Sequence, residues 1–93
     1  MTPAVRRAVL ERDGECVLVK RDRFHVCRDQ WNRWHASNDL DRLSLEHVKS
    51  EPRMGVRAES DPAHLVAMCH AANVAVPSKD ARAWMREYLR GIA

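Results

Sequence analysis

The sequence predicts a small α+β domain, and three observations support that fold class. The chain has 93 residues, a length typical of one domain, so residues 1–93 are treated as a single unit. Helix start signals precede stretches of helical spacing near both ends of the chain. Between them, residues 42–48 alternate polar and apolar side chains, which predicts a half-buried strand.

The N-terminal half begins with a predicted helix. Thr2-Pro3 is a favourable start, because threonine caps helices and proline suits the first helical position. Gly14 predicts the end of this helix. The next segment, CVLVK (16–20), is short and β-branched, so we expect a strand there. Residues 21–41 show no clean periodicity, and we expect a hairpin or an ordered loop.

The central strand is predicted over RLSLEHV (42–48). Leu43 and Leu45 are in phase, so both are expected to face the core. Residues 49–60 combine proline, glycine and mixed charge, which predicts a loop or an irregular hairpin.

Two further helices are predicted after this loop. Asp61-Pro62 is a capping residue followed by proline, and the apolar run behind it predicts a helix to about His70. Pro77-Ser78 predicts the start of the last helix. Its core stripe has the spacing i, i+3, i+4, i+7 and i+8, in Ala81, Trp84, Met85, Tyr88 and Leu89. Another face carries three arginines four residues apart, Arg82, Arg86 and Arg90.

Composition narrows the function classes without selecting one. Sixteen Lys and Arg residues against thirteen Asp and Glu give a net charge of +3. This excess suits nucleic-acid binding as well as an ordinary solvated surface. No apolar run approaches the roughly 18 residues of a membrane span, and the N-terminus lacks a signal-peptide pattern, so we expect a cytoplasmic protein. There, three cysteines are expected to be thiols or metal ligands rather than disulfides.

Four polar residues in the second half have the chemistry of a hydrolytic site. Glu46-His47 ends the central strand, and His64 and Asn73 follow downstream. Imidazole can act as a general base near neutral pH. Carboxylate and amide oxygens are hard ligands suited to Mg²⁺ or Mn²⁺. A divalent ion and a neighbouring general base together can hydrolyse a phosphodiester.

In this order and spacing the chain resembles the HNH endonuclease family. That family has a strand ending in Asp-His and an apolar residue, then an Asp, an Asn-Leu pair, and a His or Asn nine residues later. It often has Arg-Asp-Gly before a first cysteine. The matching residues here are Arg12-Asp13-Gly14 before Cys16, then Glu46-His47-Val48, Asp61, His64-Leu65 and Asn73. The resemblance spans residues 5–74 and is strongest to small stand-alone bacteriophage HNH proteins.

The resemblance implies a ββα-metal core with flanking N- and C-terminal helices, and a metal-dependent DNA endonuclease that nicks or cuts both strands. His47 would be the general base, and Glu46 and Asn73 would hold Mg²⁺ or Mn²⁺. His64 stands where the family has an asparagine that orients the loop bearing the base. Glu46 replaces an aspartate, so its carboxylate reaches one methylene further. DNA is the implied partner in the host cytoplasm, and phage packaging proteins are a further suggested one.

Each of these residues also has an ordinary structural interpretation. Glu46-His47 is compatible with an exposed pair at a strand end, and His64 with a helix surface. Asn73 is compatible with a helix C-cap, a role that does not exclude metal binding. The arginine face Arg82, Arg86 and Arg90 contacts phosphates in one interpretation and water in the other. The rival function is a non-catalytic nucleic-acid-binding module on the same frame.

The cysteines suggest a second metal. Many members of the family that the chain resembles have two Cys-x-x-Cys pairs that hold a structural zinc. Cys16 and Cys69 match the first residue of each pair, whereas Val19 and Ala72 occupy the second positions. Cys27 offers a third thiolate. Three histidines are candidates for the fourth ligand, His25, His35 and His70. The alternative is that the three cysteines are small buried hydrophobic residues.

Overall fold

The computed structural model describes residues 2–48 and 61–92, and every structural statement below concerns these residues. The elements, in chain order, are α1 (Pro3–Asp13), α2 (Val17–Arg21), β1 (Leu43–His47), β2 (Leu65–Cys69), α3 (His70–Val74) and α4 (Lys79–Ile92). The α+β class is therefore confirmed. The loop expected over 49–60 lies outside the described residues. None of the helices in the described ranges is long and apolar enough to cross a membrane.

The centre of the fold is an antiparallel pair of strands followed directly by a short helix. β1 pairs with β2 in a register that places Leu43 opposite Cys69 and His47 opposite Leu65. Every residue of β2 is buried. Leu43 is buried and Leu45 is half-buried against the core, as predicted, but the other three residues of β1 are also half-buried, so the predicted alternation is not seen in their exposure.

Both flanking helices start where their local signals predict, and α1 also ends at its predicted glycine. Thr2 Oγ1 accepts a hydrogen bond from the Val5 backbone N–H, with Pro3 in the first turn. Gly14 adopts a left-handed conformation (φ 71°) and donates its N–H to the Leu10 carbonyl. At the other end of the chain, Ser78 Oγ accepts from the Ala81 N–H.

The core lies between β2 and the two long helices. Ala81, Met85 and Leu89 are the buried residues of the α4 stripe. Trp84 and Tyr88 are half-buried and stack on each other, with ring centroids 5.5 Å apart. The stripe predicted from helical spacing is therefore the face that α4 packs against the core.

The strand predicted over residues 16–20 is wrong, because Val17–Arg21 form the helix α2. A strand needs a neighbour to satisfy its backbone groups. β1 and β2 pair with each other, and the α2 segment instead closes hydrogen bonds within itself, such as Val19 N–H to the Cys16 carbonyl. β-branched composition did not override this tertiary constraint.

The helix predicted from Asp61 to about His70 is also wrong. The capping signal is real, because Asp61 Oδ1 accepts from the Ala63 N–H, but only a 3₁₀ turn follows over Pro62–His64. Leu65–Cys69 then form β2, and the helix α3 begins at His70. A run of five apolar residues has no period that separates a buried strand from a buried helix.

The hairpin or ordered loop expected over residues 21–41 is confirmed. Its tip is a small hairpin closed by an antiparallel bridge between Arg28 and Trp34. His35 N–H donates to the Cys27 carbonyl, and Asp29 N–H donates to the Arg33 carbonyl. This segment brings two predicted metal ligands, His25 and Cys27, to the end of β2.

Candidate functional site

Three cysteines and one histidine converge at one end of the sheet. Cys16 precedes α2, His25 and Cys27 come from the ordered loop, and Cys69 ends β2. Their ligand atoms all lie within 4.8 Å of one another. In the described part of the chain, this is the one group of three or more Cys, His, Asp or Glu side chains close enough to hold a metal ion.

The geometry and donor chemistry of this Cys₃His cluster fit a tetrahedral zinc-type site. In a tetrahedral zinc site with Zn–S bonds of about 2.3 Å, neighbouring ligand atoms are roughly 3.8 Å apart. His25 Nε2 lies 3.4 Å from Cys69 Sγ, so little movement is needed for both to bind one ion. Three sulfur donors and one imidazole nitrogen suit zinc and not magnesium.

Backbone hydrogen bonds help to position Cys16 and Cys69. The Cys16 N–H donates to the Ser37 carbonyl, and the Cys69 N–H donates to Cys16 Sγ at 3.4 Å. Cys16, Cys27 and Cys69 are all buried, and none is in a disulfide. A site enclosed in this way has no open position for substrate, as is typical of structural zinc.

The thiols strongly perturb one another. The hydrogen bond with the Cys16 thiol lowers the pKa of Cys69 to about 4. The same contact raises the pKa of Cys16, and burial raises the pKa of Cys27 to about 11. One sulfur thus carries negative charge while its neighbours keep their protons. A divalent cation binding here would release those protons.

Of the three histidines proposed as the fourth ligand, His25 is the one that joins the cluster. His35 is buried, and its Nδ1 bonds to the Ala36 carbonyl at 2.8 Å. A carbonyl only accepts, so Nδ1 carries the hydrogen, and His35 Nε2 finds no partner among the described residues. His70 is half-buried and lines a different groove.

Glu46 and His47 lie toward the far end of the same sheet and, among the described residues, belong to no comparable cluster. Glu46 pairs with Val66 and His47 with Leu65 in the ladder, and both side chains are half-buried. Glu46 Oε1 lies 3.6 Å from Arg82 Nη2 on α4. One member of the predicted arginine face therefore neutralises the candidate metal-binding carboxylate, a contact that the sequence pattern did not indicate.

Asn73 on α3 is anchored to the strand that carries Glu46 and His47. Its Nδ2 donates to Ser44 Oγ at 3.2 Å and to the Leu45 carbonyl at 3.3 Å. Because a carbonyl cannot donate, the amide nitrogen must face Leu45. The Asn73 Oδ1 is then the atom available to a cation. The alternative role as a helix C-cap is wrong, since the residue that caps α3 is Ala75.

His64 contacts the histidine-bearing strand through its backbone. The Val48 N–H donates to the His64 carbonyl at 2.8 Å, directly after His47. The His64 side chain is exposed and lines a cleft of about 380 Å³ together with Arg12, Arg86 and Leu89. The link implied for this position is thus made by the main chain, so it does not depend on the side chain being asparagine or histidine.

Asp13 ties the flanking helices to the sheet, although its sequence context predicted only a helix end. Its carboxylate is buried and accepts from the Ala67 N–H at 2.8 Å and from the Tyr88 hydroxyl at 2.7 Å. Burial, together with Asp13, raises the pKa of Tyr88. Arg12 pairs with Asp13 and also donates to the Pro62 and Leu65 carbonyls, which fixes the chain where it enters β2.

The three arginines of α4 have different surroundings. Arg82 pairs with Glu46, and Arg86 lines the cleft beside His64. Arg90 is largely exposed and pairs with Glu87 at 2.6 Å.

Comparisons of the chain with protein-family models, with curated proteins and with solved structures found no match.

Proposed function

We propose that the protein is a metal-dependent DNA endonuclease of the HNH type. The observation that carries the proposal is the attachment of Asn73 to Ser44 and Leu45. It holds an amide oxygen beside the strand whose end bears a carboxylate and an imidazole. Two strands followed by a short helix are the order that the ββα motif requires, which supports the proposal further.

In this proposal the protein supplies a base and two oxygen ligands. His47 accepts a proton from the attacking water, and Glu46 and Asn73 hold the ion. Mg²⁺ or Mn²⁺ provides positive charge for the transferring phosphoryl group and the leaving oxygen. Magnesium sites often use only one or two protein ligands, with water and substrate phosphate completing the shell. The open surroundings of Glu46 and Asn73 fit that pattern. Arg82 balances the charge of Glu46 in the absence of a divalent ion.

The zinc proposal concerns stability. Zn²⁺ held by Cys16, His25, Cys27 and Cys69 would fasten the ordered loop and α2 to the junction of β2 and α3. A short chain buries a small core and often needs such a staple. α3 starts immediately after Cys69, so the ligand cluster also fixes the base of the helix that carries Asn73. Reduced thiols persist in the cytoplasm, which keeps that compartment as the expected one.

A nicking assay on supercoiled plasmid tests the nuclease. Purified zinc-loaded protein should nick DNA when Mg²⁺ or Mn²⁺ is added and should not nick DNA without an added divalent ion. Phe24→Ala is a control, since Phe24 is exposed on the ordered loop and belongs to neither proposed set. DNA binding without any nicking under either metal would reject the endonuclease.

DNA binding without nicking would instead favour a non-catalytic DNA-binding module. One observation supports this rival, since the Arg82–Glu46 ion pair satisfies the candidate metal ligand from within the chain.

A further inference from the structure

Two tryptophans on the ordered loop are exposed where a soluble domain would ordinarily bury them. Trp31 and Trp34 each retain 67% of their accessible surface. Tryptophan is highly buried on average, so two exposed indoles on one small hairpin indicate a contact surface. The zinc-type cluster and the candidate catalytic residues make no use of either ring.

The hairpin that carries them is held rigidly. Asp29 is buried, and its Oδ1 accepts from the Trp31 N–H at 2.9 Å and the Arg33 N–H at 3.0 Å. Its Oδ2 accepts from Arg42 Nη1 at 3.0 Å. Asn32 takes the left-handed conformation (φ 62°) that the tight tip requires. The rings are therefore presented on a fixed support, which lowers the entropic cost of binding a flat ligand.

The part of the loop that carries the rings, residues 21–34, has a net positive charge. The Arg33 guanidinium lies 5.9 Å from the centre of the Trp31 ring. Residues 21–34 contain four arginines and two aspartates. Both aspartates are engaged in turns, because Asp29 holds the hairpin and Asp22 Oδ1 accepts from the Phe24 N–H. An apolar protein partner would gain little from this charge, whereas a phosphate backbone would be attracted by it.

A groove connects the aromatic hairpin with the candidate catalytic strand. Its volume is about 500 Å³, and its lining includes Trp31 and Arg33 at one side and Ser44 and Leu45 at the other. Ser44 Oγ is the atom that accepts the hydrogen bond from Asn73. A strand of nucleic acid lying in the groove would therefore pass from the Trp31 ring to the residue that anchors the proposed metal ligand.

We propose that this aromatic–arginine surface binds unpaired nucleobases of single-stranded or locally unwound DNA. The bases stack on Trp31 and Trp34, and the backbone phosphates face the neighbouring arginines. Stacking of this kind needs exposed base faces, which a continuous duplex does not offer. The inference rests on the proposed function, since it names the substrate class for the same site: DNA with an unpaired segment beside the scissile bond.

Binding can be measured without cleavage, which separates this inference from the nuclease itself. The probe is a labelled single-stranded oligonucleotide, compared with its own duplex by fluorescence anisotropy. Zinc-loaded His47→Ala protein is used without added Mg²⁺ or Mn²⁺. We expect tighter binding to the single strand. We expect Trp31→Ala to weaken it by about 5- to 150-fold, the range that corresponds to roughly 1–3 kcal/mol per stacked base. Trp34 shares the hairpin with Trp31 but is not part of the groove lining, so Trp34→Ala should cause a smaller loss. Trp31→Phe should retain most of the affinity.

Phe24→Ala is the matched control, because Phe24 is 90% exposed on the same loop but does not line the groove. It should leave binding unchanged. Circular dichroism checks that each variant is folded. Equal affinity for single strand and duplex, or equal losses from Phe24→Ala and Trp31→Ala in folded proteins, would overturn the inference. A wild-type protein that never nicks DNA but shows the Trp31-dependent preference would overturn the nuclease and leave this surface assigned.

Discussion

The two ends of one short sheet differ in almost every respect that matters for a metal. At the Leu43–Cys69 end, four ligand atoms from three segments lie within 4.8 Å of one another, and the three cysteines are buried. Toward the His47–Leu65 end, Glu46 and His47 are half-buried and, within residues 2–48 and 61–92, belong to no such cluster. Within the described residues, the first arrangement is closed and the second is partly accessible to solvent.

This contrast indicates a division of labour. A closed set of soft donors binds its ion tightly and excludes substrate, so its contribution is to stability. An open set of oxygen ligands binds a hard ion weakly and leaves positions for water and phosphate. Asn73 belongs to the second set, yet it lies four residues after Cys69 in the first. Rigidity at the closed end should therefore position a ligand at the open end.

Zinc removal should have the largest effect. Purified protein is expected to contain about one zinc per chain, the number that one such site holds. Structural zinc in finger peptides binds with about 10–16 kcal/mol, which is comparable with the whole unfolding free energy of a domain, about 5–15 kcal/mol. Stripping the ion with a strong chelator should unfold the chain, measured by circular dichroism and by metal analysis.

The matched variants are His25→Ala and His70→Ala. The first should lower zinc content and melting temperature, and the second should leave zinc content unchanged. If elemental analysis finds no zinc in well-folded protein, the cysteines are core packing, and Cys69→Ala would act as an ordinary small truncation. That result would reject the structural zinc site at the Leu43–Cys69 end of the sheet.

Loss of the base should have the next largest effect, and only at the open end. His47→Ala should reduce plasmid nicking by roughly 10²- to 10⁴-fold, the usual cost of removing a general base. Zinc content and melting temperature should stay close to wild type, because His47 is half-buried and belongs to no cluster. A folded His47→Ala protein that nicks at the wild-type rate would assign the base elsewhere.

The helix starts near both ends of the chain were easier to predict from the sequence than the central strand β2. Thr2, Gly14 and Ser78 act through their immediate neighbours, so their effects could be predicted locally. The strand β2 could not be predicted locally, because its five consecutive apolar residues have no period that distinguishes a strand from a helix. Its pairing with β1 depends on the tertiary structure.

The site divides in the same way. Three thiols were recognisable as ligands by their chemistry alone. The choice of His25 over His35 and His70 depends on the folded path of the loop. The contact of Arg82 with Glu46 joins two elements 36 positions apart, and no spacing rule connects them.

A smaller effect is expected from the ion pair at the open end. Arg82→Ala frees Glu46, so Mn²⁺ should bind more tightly, by about 1.4- to 5-fold if the pair contributes roughly 0.2–1 kcal/mol. Glu46→Ala and Asn73→Ala should instead weaken Mn²⁺ binding and raise the metal concentration needed for nicking. Electron paramagnetic resonance on zinc-loaded protein measures free Mn²⁺ directly.

Arg90→Ala is the control, since Arg90 pairs with Glu87 on the surface. Arg82→Ala with unchanged Mn²⁺ affinity would show that the ion pair does not compete with metal. Unchanged metal dependence of Glu46→Ala and Asn73→Ala would reject the ligand set, and with it the open site.

The smallest effect concerns the arginines of α4 as phosphate contacts. Each phosphate contact removed should flatten the dependence of log K on log salt concentration by about 0.9 units on duplex DNA. Arg86 and Arg90 both line the cleft beside His64, but Arg90 is ion-paired with Glu87, so Arg86→Ala should flatten the slope more than Arg90→Ala. Arg7→Ala removes an equal charge from the exposed side of α1 and should leave the slope unaltered. If the triple variant of Arg82, Arg86 and Arg90 keeps the wild-type slope, this face contacts only water, and DNA must reach the open end of the sheet from the side of the tryptophan hairpin.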